Sequence, residues 1–412
     1  MARVLLSAYA CEPGRGSEPG VGWGWAMELA RLGHEVTVIT RAANRLAIEE
    51  HAQHPTARLR FVYYDLPAWM QRGRRYPGAK ALYYVLWQWF AARQIRKLFP
   101  ALPFDTVQHV TYVSIRHPSF MGSLGIPFYF GPVSGGEGVP LRLRAGFSTG
   151  QRWRERLRDL SNFLVPLDPL MRRTFRQAER ILVTRDTLPL VPRRWRDKTT
   201  VRLAVGHPEG ALTLTPSSPR QRADDLRLLY VGRLLEWKGV DIALQAIHRV
   251  KQSHPHIRFT IIGEGPAKAR LARLSRKLGL EEIVGWVHWL PQRRLVEHYR
   301  AADLLLFPSL RDSGGMVVLE SLAHGLPVLC TDLGGPGLIV DSTCGRALTT
   351  AGRSPNQLAR DMAGALLEMA TVPDLLESLS YGARVRAREF NFQDLVRSVY
   401  PSSAARRMPR EA

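Results

Sequence analysis

Short apolar runs alternate with longer amphipathic stretches along most of this chain, the pattern of buried strands joined by helices. The runs predict strands at Arg3–Tyr9, Glu35–Arg41, Leu59–Tyr64, Asp105–Thr111, Pro127–Gly131 and Arg180–Thr184. Helices are expected between them at Gly20–Leu32, Gly78–Phe99, Ile115–Leu124 and within Gln151–Ala178. A second series starts with strand Leu226–Val231, helix Val240–Ser253, strand Arg258–Ile262 and helix Ala267–Leu278. Strand Ile283–Trp289, helix Gln292–Ala301, strand Leu304–Phe307, helix Met316–Ala323 and strand Pro327–Thr331 follow. Strands separated by helices of this length imply βαβ units with right-handed crossovers. The expected fold class is α/β, two Rossmann-like doubly wound parallel-sheet domains. Such sheets bind ligands outside the carboxyl ends of their strands, so a central cleft between two of them is the expected active site.

A Pro-, Ser- and Gly-rich stretch over 206–225 reads as the linker between domains 1–205 and 226–385. Residues 386–400 read as a C-terminal helix crossing back to the first domain, and 401–412 as a disordered tail.

Composition adds one unusual term. Of 412 residues, 58 are Lys or Arg and 36 Asp or Glu, a formal net charge of +22. That excess favours anionic partners: nucleic acid, anionic lipid or phosphorylated substrates. Three cysteines, Cys11, Cys330 and Cys344, stand at no metal-ligand spacing and suit free thiols in a reducing compartment. The opening MARVLLSAYACEPG reads as a strand into a turn, without a signal peptide's apolar stretch. The run Ala81–Ala92 is too short to span a membrane and is broken by Gln88.

The chemistry concentrates in the second domain. Asp312 and Glu320 flank Gly314 and Gly315 between a strand and a helix. The first helical N–H groups have no internal partner and the macrodipole is positive there, so the segment can hold an anion. Asp before a helix is also an ordinary N-cap, and Glu320 can sit on a solvated face; both readings stay open here. Arg233 and Lys238 follow the strand Leu226–Val231 on the expected ligand side, a planar fork and a point charge suited to a diphosphate or to a solvated loop. Gly263 in IGEGP allows close backbone approach at another strand end. In the first domain, Gly20-Val21-Gly22-Trp23-Gly24 has the wrong spacing for a dinucleotide fingerprint, which excludes a nicotinamide site on that basis. His109 lies near the carboxyl end of a strand and is expected to face the cleft.

Taken together, VGRLLEWKG and DSGGMVVLE resemble the retaining family-4 glycosyltransferases of the GT-B fold (glycosyl transferases group 1), over nearly the whole chain. The resemblance implies a nucleotide diphosphate sugar donor, no metal and no cofactor. It makes Arg233 and Lys238 the phosphate-binding pair. It gives the donor sugar and its phosphate to Asp312 and the backbone of Gly314, Gly315, Met316 and Val317, and the ribose hydroxyls to Glu320. The residues 1–205 become the acceptor-binding domain. Gly16 and Ser17 fall where the family has a Gly-Gly pair near phosphate and acceptor, and His109 where a histidine contacts the transferred sugar. Catalytic roles are thereby implied for Asp312, Lys238, Arg233 and His109, with the leaving diphosphate deprotonating the acceptor in a front-face attack. The chain departs from the pattern at Asp312, where a Glu is usual, at Ser17, and at His288, which stands at a usually small position near the base. Glu137 in GPVSGGEGVP is a candidate acceptor-side residue, and turn structure explains that segment equally well.

Residues 68–99 carry seven Lys or Arg, no acid and eight aromatics, and residues 142–202 carry sixteen basic against six acidic residues. Basic residues interleaved with Trp and Tyr suit an anionic lipid surface. The expectation is a peripheral protein on the cytoplasmic face of the plasma membrane, with a lipid-linked saccharide acceptor in polysaccharide assembly. The competing reading buries Trp87, Trp89 and Phe90 in the core. A nucleic-acid-binding protein, which no recognisable module supports, and a non-catalytic sugar-nucleotide-binding partner are the alternatives from other classes.

Overall fold

The structure is a computed structural model and describes residues 1–51, 57–73, 79–207, 226–254 and 256–400. Most of the expected linker and the whole expected tail therefore lie outside the described residues. The chain divides into two compact units. Unit 1 comprises Met1–Gly136, Leu160–Pro208 and Phe392–Ala412, and unit 2 comprises Glu137–Asp159 and Glu209–Asn391.

Unit 1 is built on the strands β1 (Arg3–Ser7), β2 (Glu35–Thr40), β3 (Leu59–Tyr63), β4 (Thr106–His109), β5 (Phe128–Val133), β6 (Arg180–Val183) and β7 (Thr199–Val201). They form a 7-stranded parallel sheet in the order β3-β2-β1-β4-β5-β6-β7. The order reverses between β1 and β4, which is the ligand-binding switch point of such a sheet. The helix Ala79–Leu98 covers one face with Tyr83, Tyr84, Trp87 and Ile95 in the core. Trp87 is fully buried and donates its indole N–H to Tyr64 C=O, so it belongs to the packing and not to a lipid-facing surface. Trp89 and Phe90, half-buried, meet edge to face, and Arg93 lies over the Trp89 ring.

Unit 2 carries β8 (Leu226–Val231), β9 (Ile257–Ile262), β10 (Val284–Val287), β11 (Leu304–Phe307), β12 (Val328–Thr331) and β13 (Gly345–Leu348). Its 6-stranded parallel sheet runs β10-β9-β8-β11-β12-β13. The switch point falls between β8 and β11. β11 is buried at every position, as a strand covered by helices on both faces must be.

Several expectations are corrected. Ile115–Leu124 is not a helix: only Met121–Leu124 makes a short 3-10 turn. Ile115 N–H instead bonds Ser134 C=O and Ser134 N–H bonds Val113 C=O. Pro118 disfavours helical backbone in the residue before it and supplies no N–H. The helix expected to begin at Gly20 begins at Ser17. β7 and β13 did not stand out in the sequence, being three- and four-residue strands. Nor did the helices Pro355–Thr371 and Leu375–Arg388. The stretch 386–400 is two pieces, since the helix Leu375–Arg388 ends and a new helix, Phe392–Val399, begins within unit 1. That last helix packs tightly there: a Cβ on Gly24 would lie 2.6 Å from the Phe392 ring. That approach is what Gly24 serves, while a Cβ on Gly20 or Gly22 would lie 2.1 Å from Arg15 C=O or Ala10 C=O.

Residues 137–159, inside the expected first domain, group with unit 2. Two anchors account for this. Glu236 accepts hydrogen bonds from Ser148 N–H and Oγ, each at 2.7 Å. Arg311 donates to both oxygens of the buried Glu155, at 2.7 and 2.9 Å.

Candidate donor site

The switch point of unit 2 is where its charged residues meet. After β8 the chain turns through Glu236–Lys238 and enters the helix Val240–Val250. Gly239 joins them at φ +67°, and a Cβ there would lie 2.1 Å from Pro308 C=O. Only glycine lets this turn press against the residue that follows β11. The result is an ion pair between Lys238 Nζ and Asp312 Oδ2 at 2.5 Å, with the side chains 15% and 21% exposed. Lys238 also lies 5.2 Å from the centre of the Phe307 ring.

Asp312 binds on its other side as well. Its Oδ1 accepts from Gly314 N–H at 3.2 Å and Gly315 N–H at 2.8 Å. Both donors precede the helix, whose N-cap is Gly315 without a side-chain cap, so Asp312 fixes the loop before the helix rather than capping it. Burial by itself raises its carboxyl; the Lys238 charge, the Lys238 hydrogen bond and the two backbone N–H groups outweigh that and hold it below the usual carboxylate range. The helix Met316–Ala323 makes its first internal bond from Leu319 N–H to Gly315 C=O. The N–H groups of Met316 and Val317 thus have no helical partner and point out of the positive end of the helix.

Glu320 is not on a solvated face. Its carboxylate accepts from Gln292 Nε2 and Tyr299 OH, both at 2.8 Å. Burial pushes this carboxyl up, against the two hydrogen bonds that favour its charged form. Arg233 lies at the carboxyl end of β8, exposed, and its guanidinium has no partner among the described residues. Gly263 ends β9 and bonds Val287 C=O through its N–H at 3.0 Å. His288, beyond β10, is exposed with Nδ1 2.6 Å from Glu264 Oε1. So Arg233, Lys238, Gly263, Asp312, Gly314, Gly315, Met316, Val317 and Glu320 all come to the carboxyl end of one sheet.

The remaining candidates lie elsewhere. Gly16 caps the exposed start of the helix Ser17–Arg31, after β1, so Gly16 and Ser17 follow one strand of unit 1's switch point and His109 ends the other, β4. His109 is a correction: it is 1% exposed and does not face an open surface. Its Nε2 meets Tyr84 OH at 2.8 Å and Gln88 Nε2 at 3.1 Å. Burial lowers its pKa to about 3, which keeps the ring neutral. Glu137 groups with unit 2 rather than the expected acceptor domain, buried, with Arg158 Nη2 3.9 Å from its carboxylate.

Sequence reading missed three parts of the site. Gln292 and Tyr299 lie on the helix Gln292–Ala301 and carried no motif. Gly334 and Gly335 follow β12, where a glycine pair after a strand was the available signal. Gly335 N–H bonds Asp312 C=O at 2.9 Å. Gly334, at φ +62°, sits where a Cβ would be 1.9 Å from that same oxygen. This loop fixes the backbone that aims Asp312 at Lys238. Among the described residues no group of three or more His, Cys, Asp or Glu is arranged to hold a metal ion.

Taken together, the cations, the free N–H groups and the paired acid at a strand-order reversal can hold a diphosphate with hydroxyl-bearing groups on either side. Residues 215–386 match the family described as Glycosyl transferases group 1. The D-inositol 3-phosphate glycosyltransferase of Thermobispora bispora is 35% identical over 179 residues, 41% of this chain and 41% of that protein. The match thus spans about two fifths of this curated relative. Among solved structures, sucrose-phosphate synthase from Thermosynechococcus elongatus superposes with a TM-score of 0.66 at 17% identity, over 98% of this chain and 100% of that one. HepE of Anabaena in complex with UDP and glucose gives 0.61 at 15% identity, over 98% and 100%. The architecture is the two-unit GT-B fold, and the Lys238–Asp312 site lies within residues 215–386, the segment that matches the glycosyl transferases group 1 family.

Proposed function

We propose that this protein is a retaining glycosyltransferase that moves a hexose from a nucleoside diphosphate sugar to a hydroxyl acceptor, without a metal or other cofactor. The observation that carries the reading is the pairing of Lys238 with Asp312 at the switch point, beside the unpartnered Arg233 and the open N-terminus of Met316–Ala323. In the reaction the bond from the sugar's anomeric carbon to the diphosphate oxygen breaks. The acceptor oxygen bonds that carbon on the same face, and its proton passes to the departing diphosphate. The burden on the protein is the growing negative charge on the diphosphate, a task for preorganised donors. Lys238, Arg233 and the N–H groups of Met316 and Val317 take it; Asp312 holds Lys238 in place and reaches the sugar, and Glu320 holds the ribose. Gly16, Ser17 and the rest of unit 1 serve the acceptor. The acceptor is a lipid-linked saccharide in bacterial glycan assembly, and the protein is cytoplasmic, attached to the inner face of the plasma membrane through its basic surface.

Titration calorimetry and thermal shift with a panel of nucleoside diphosphate sugars, each with and without EDTA, test the donor. A ligand of the native state raises the midpoint, unaffected by the chelator. Proton NMR of the product then gives the anomeric configuration, and inversion overturns retention. Lys238→Ala is expected to lose transfer activity by about 10²-fold or more; near-normal turnover rejects its role. Donor binding with neither transfer nor slow donor hydrolysis points to the non-catalytic partner instead.

A further inference from the structure

The proposed membrane attachment has a definite place in unit 1. The segment Leu160–Leu170 exposes Leu160, Phe163, Leu164, Leu167 and Leu170, with Phe163 at 71% and Leu167 at 62%. Together these side chains form an apolar ridge along the end of the helix Thr149–Leu164, the turn Val165–Leu167 and the start of the helix Pro169–Gln177. Beside it, Pro169, Arg172, Arg173, Arg176, Arg194 and Trp195 line a cavity of about 460 Å³.

The arginines there are uncommitted. Among the described residues, Arg172, Arg173 and Arg176 have no carboxylate partner. The nearby acid Asp168 is occupied in capping its helix, accepting from Leu170 N–H at 2.8 Å and Met171 N–H at 3.3 Å. Arg194 lies 4.0 Å over the Trp195 ring. Arg196 and Lys198 are tied to backbone carbonyls. Over 168–179 and 193–198 there are seven basic residues (172, 173, 176, 193, 194, 196, 198) and three acids (168, 179, 197), a balance of +4. The helix Pro169–Gln177 and the turn Arg193–Lys198 lead into the amino ends of β6 and β7, so the cavity is no part of a carboxyl-end ligand site.

An aliphatic ridge next to unpaired guanidiniums has one complementary partner, an interface with acyl chains and anionic headgroups side by side. We propose that Leu160–Leu170 inserts into the headgroup and acyl boundary of an anionic bilayer, while the Arg172, Arg173, Arg176 and Arg194 cavity takes a lipid phosphate. A polynucleotide satisfies the arginines and leaves the leucines in water. This inference rests on the membrane reading and names its contact face, formed by exposed side chains rather than by the buried aromatics of 79–98.

Vesicle co-sedimentation of the full chain tests it, comparing phosphatidylcholine with mixtures containing phosphatidylglycerol. The variants are Arg172→Ser/Arg173→Ser/Arg176→Ser and Phe163→Ser/Leu167→Ser. All these positions are exposed, and thermal midpoint and nucleotide binding serve as controls for folding. Wild type is expected to bind the anionic vesicles and release at high salt, and the arginine variant to lose on the order of 100-fold in partitioning. The Phe163→Ser/Leu167→Ser variant is expected to lose binding that salt does not restore. Wild type that ignores anionic vesicles overturns the membrane reading as a whole. Wild type that binds while both variants bind equally overturns only this face. Displacement of vesicles by single-stranded RNA at physiological salt assigns the arginines to nucleic acid and overturns the proposal.

Discussion

Replacing Lys238 by Met tests the centre of the donor site without reference to any ligand. Two unit charges 2.5 Å apart attract by roughly 7 kcal/mol at an effective dielectric near 20. Desolvating both ions takes back most of that, so the intact pair adds little net stability, and the cost appears when one partner is removed. Lys238→Met leaves a buried carboxylate with only the Gly314 and Gly315 N–H groups, at a cost of about 3 kcal/mol. Asp312→Asn keeps an oxygen for those N–H groups and leaves the ammonium facing an amide, at about 2 kcal/mol. The double variant buries no unpaired charge, so it is expected to cost about 3 kcal/mol rather than about 5, a coupling near 2 kcal/mol. Hydrogen exchange read on peptides covering 226–239 and 304–323 reports the opening of this sheet region locally. The pair also sets an acid limb. Because Asp312 is held below its ordinary range, its contribution is whole above about pH 4, the unfolded value, and is lost as pH falls through the lower folded value. In Lys238→Met that acid-dependent loss is expected to shrink. Single-variant effects that simply add, within about 0.5 kcal/mol, would refute the reasoning.

Arg233→Ala is expected to leave stability within about 0.5 kcal/mol, since the side chain is exposed and has no partner among the described residues, and to weaken binding of a nucleoside diphosphate by about 10-fold or more; urea unfolding checks the first half and calorimetry with UDP the second. Tyr299→Phe removes one of two donors to Glu320, so the carboxyl, already raised by burial, is expected to titrate still higher, which carbon-13 NMR of labelled Glu reads directly. Gly24→Ala drives a Cβ into the Phe392 ring and is expected to cost about 1–3 kcal/mol, with Phe392→Leu in the same chain recovering part of it; a neutral Gly24→Ala contradicts the packing. His109, with its pKa lowered to about 3, is expected to show flat imidazole shifts from pH 5 to 8 and to leave no inflection in the pH profile of transfer.

Much of unit 2 was legible because its elements are locally self-consistent. Leu304–Phe307, Gln292–Ala301 and Met316–Ala323 have the bounds that periodicity gave them, each a clean apolar run or helical face beside a glycine or proline. Gly345–Leu348 was not, because Arg346 interrupts a four-residue strand whose place depends on pairing with β12. Ile115–Leu124 failed for a related reason: its apolar residues suit a helix, yet bonds to Ser134 hold its start extended. The aromatics of 68–99 read equally as surface or core, and burial of Trp87 is a property of the sheet beneath it.

The site divides the same way. The sequence by itself determined the chemical inventory: Arg233 and Lys238 after one strand, Asp312 and Glu320 around one helix start, glycines where backbones touch. These are local, because strand ends and helix starts are set by neighbouring residues. Only the tertiary structure decided that Lys238 and Asp312, 74 positions apart, form one ion pair, that Tyr299 and Gln292 grip Glu320, and that His109 is closed inside unit 1. Such pairings follow from strand order, and β8 lies beside β11 because the order of the parallel strands reverses there.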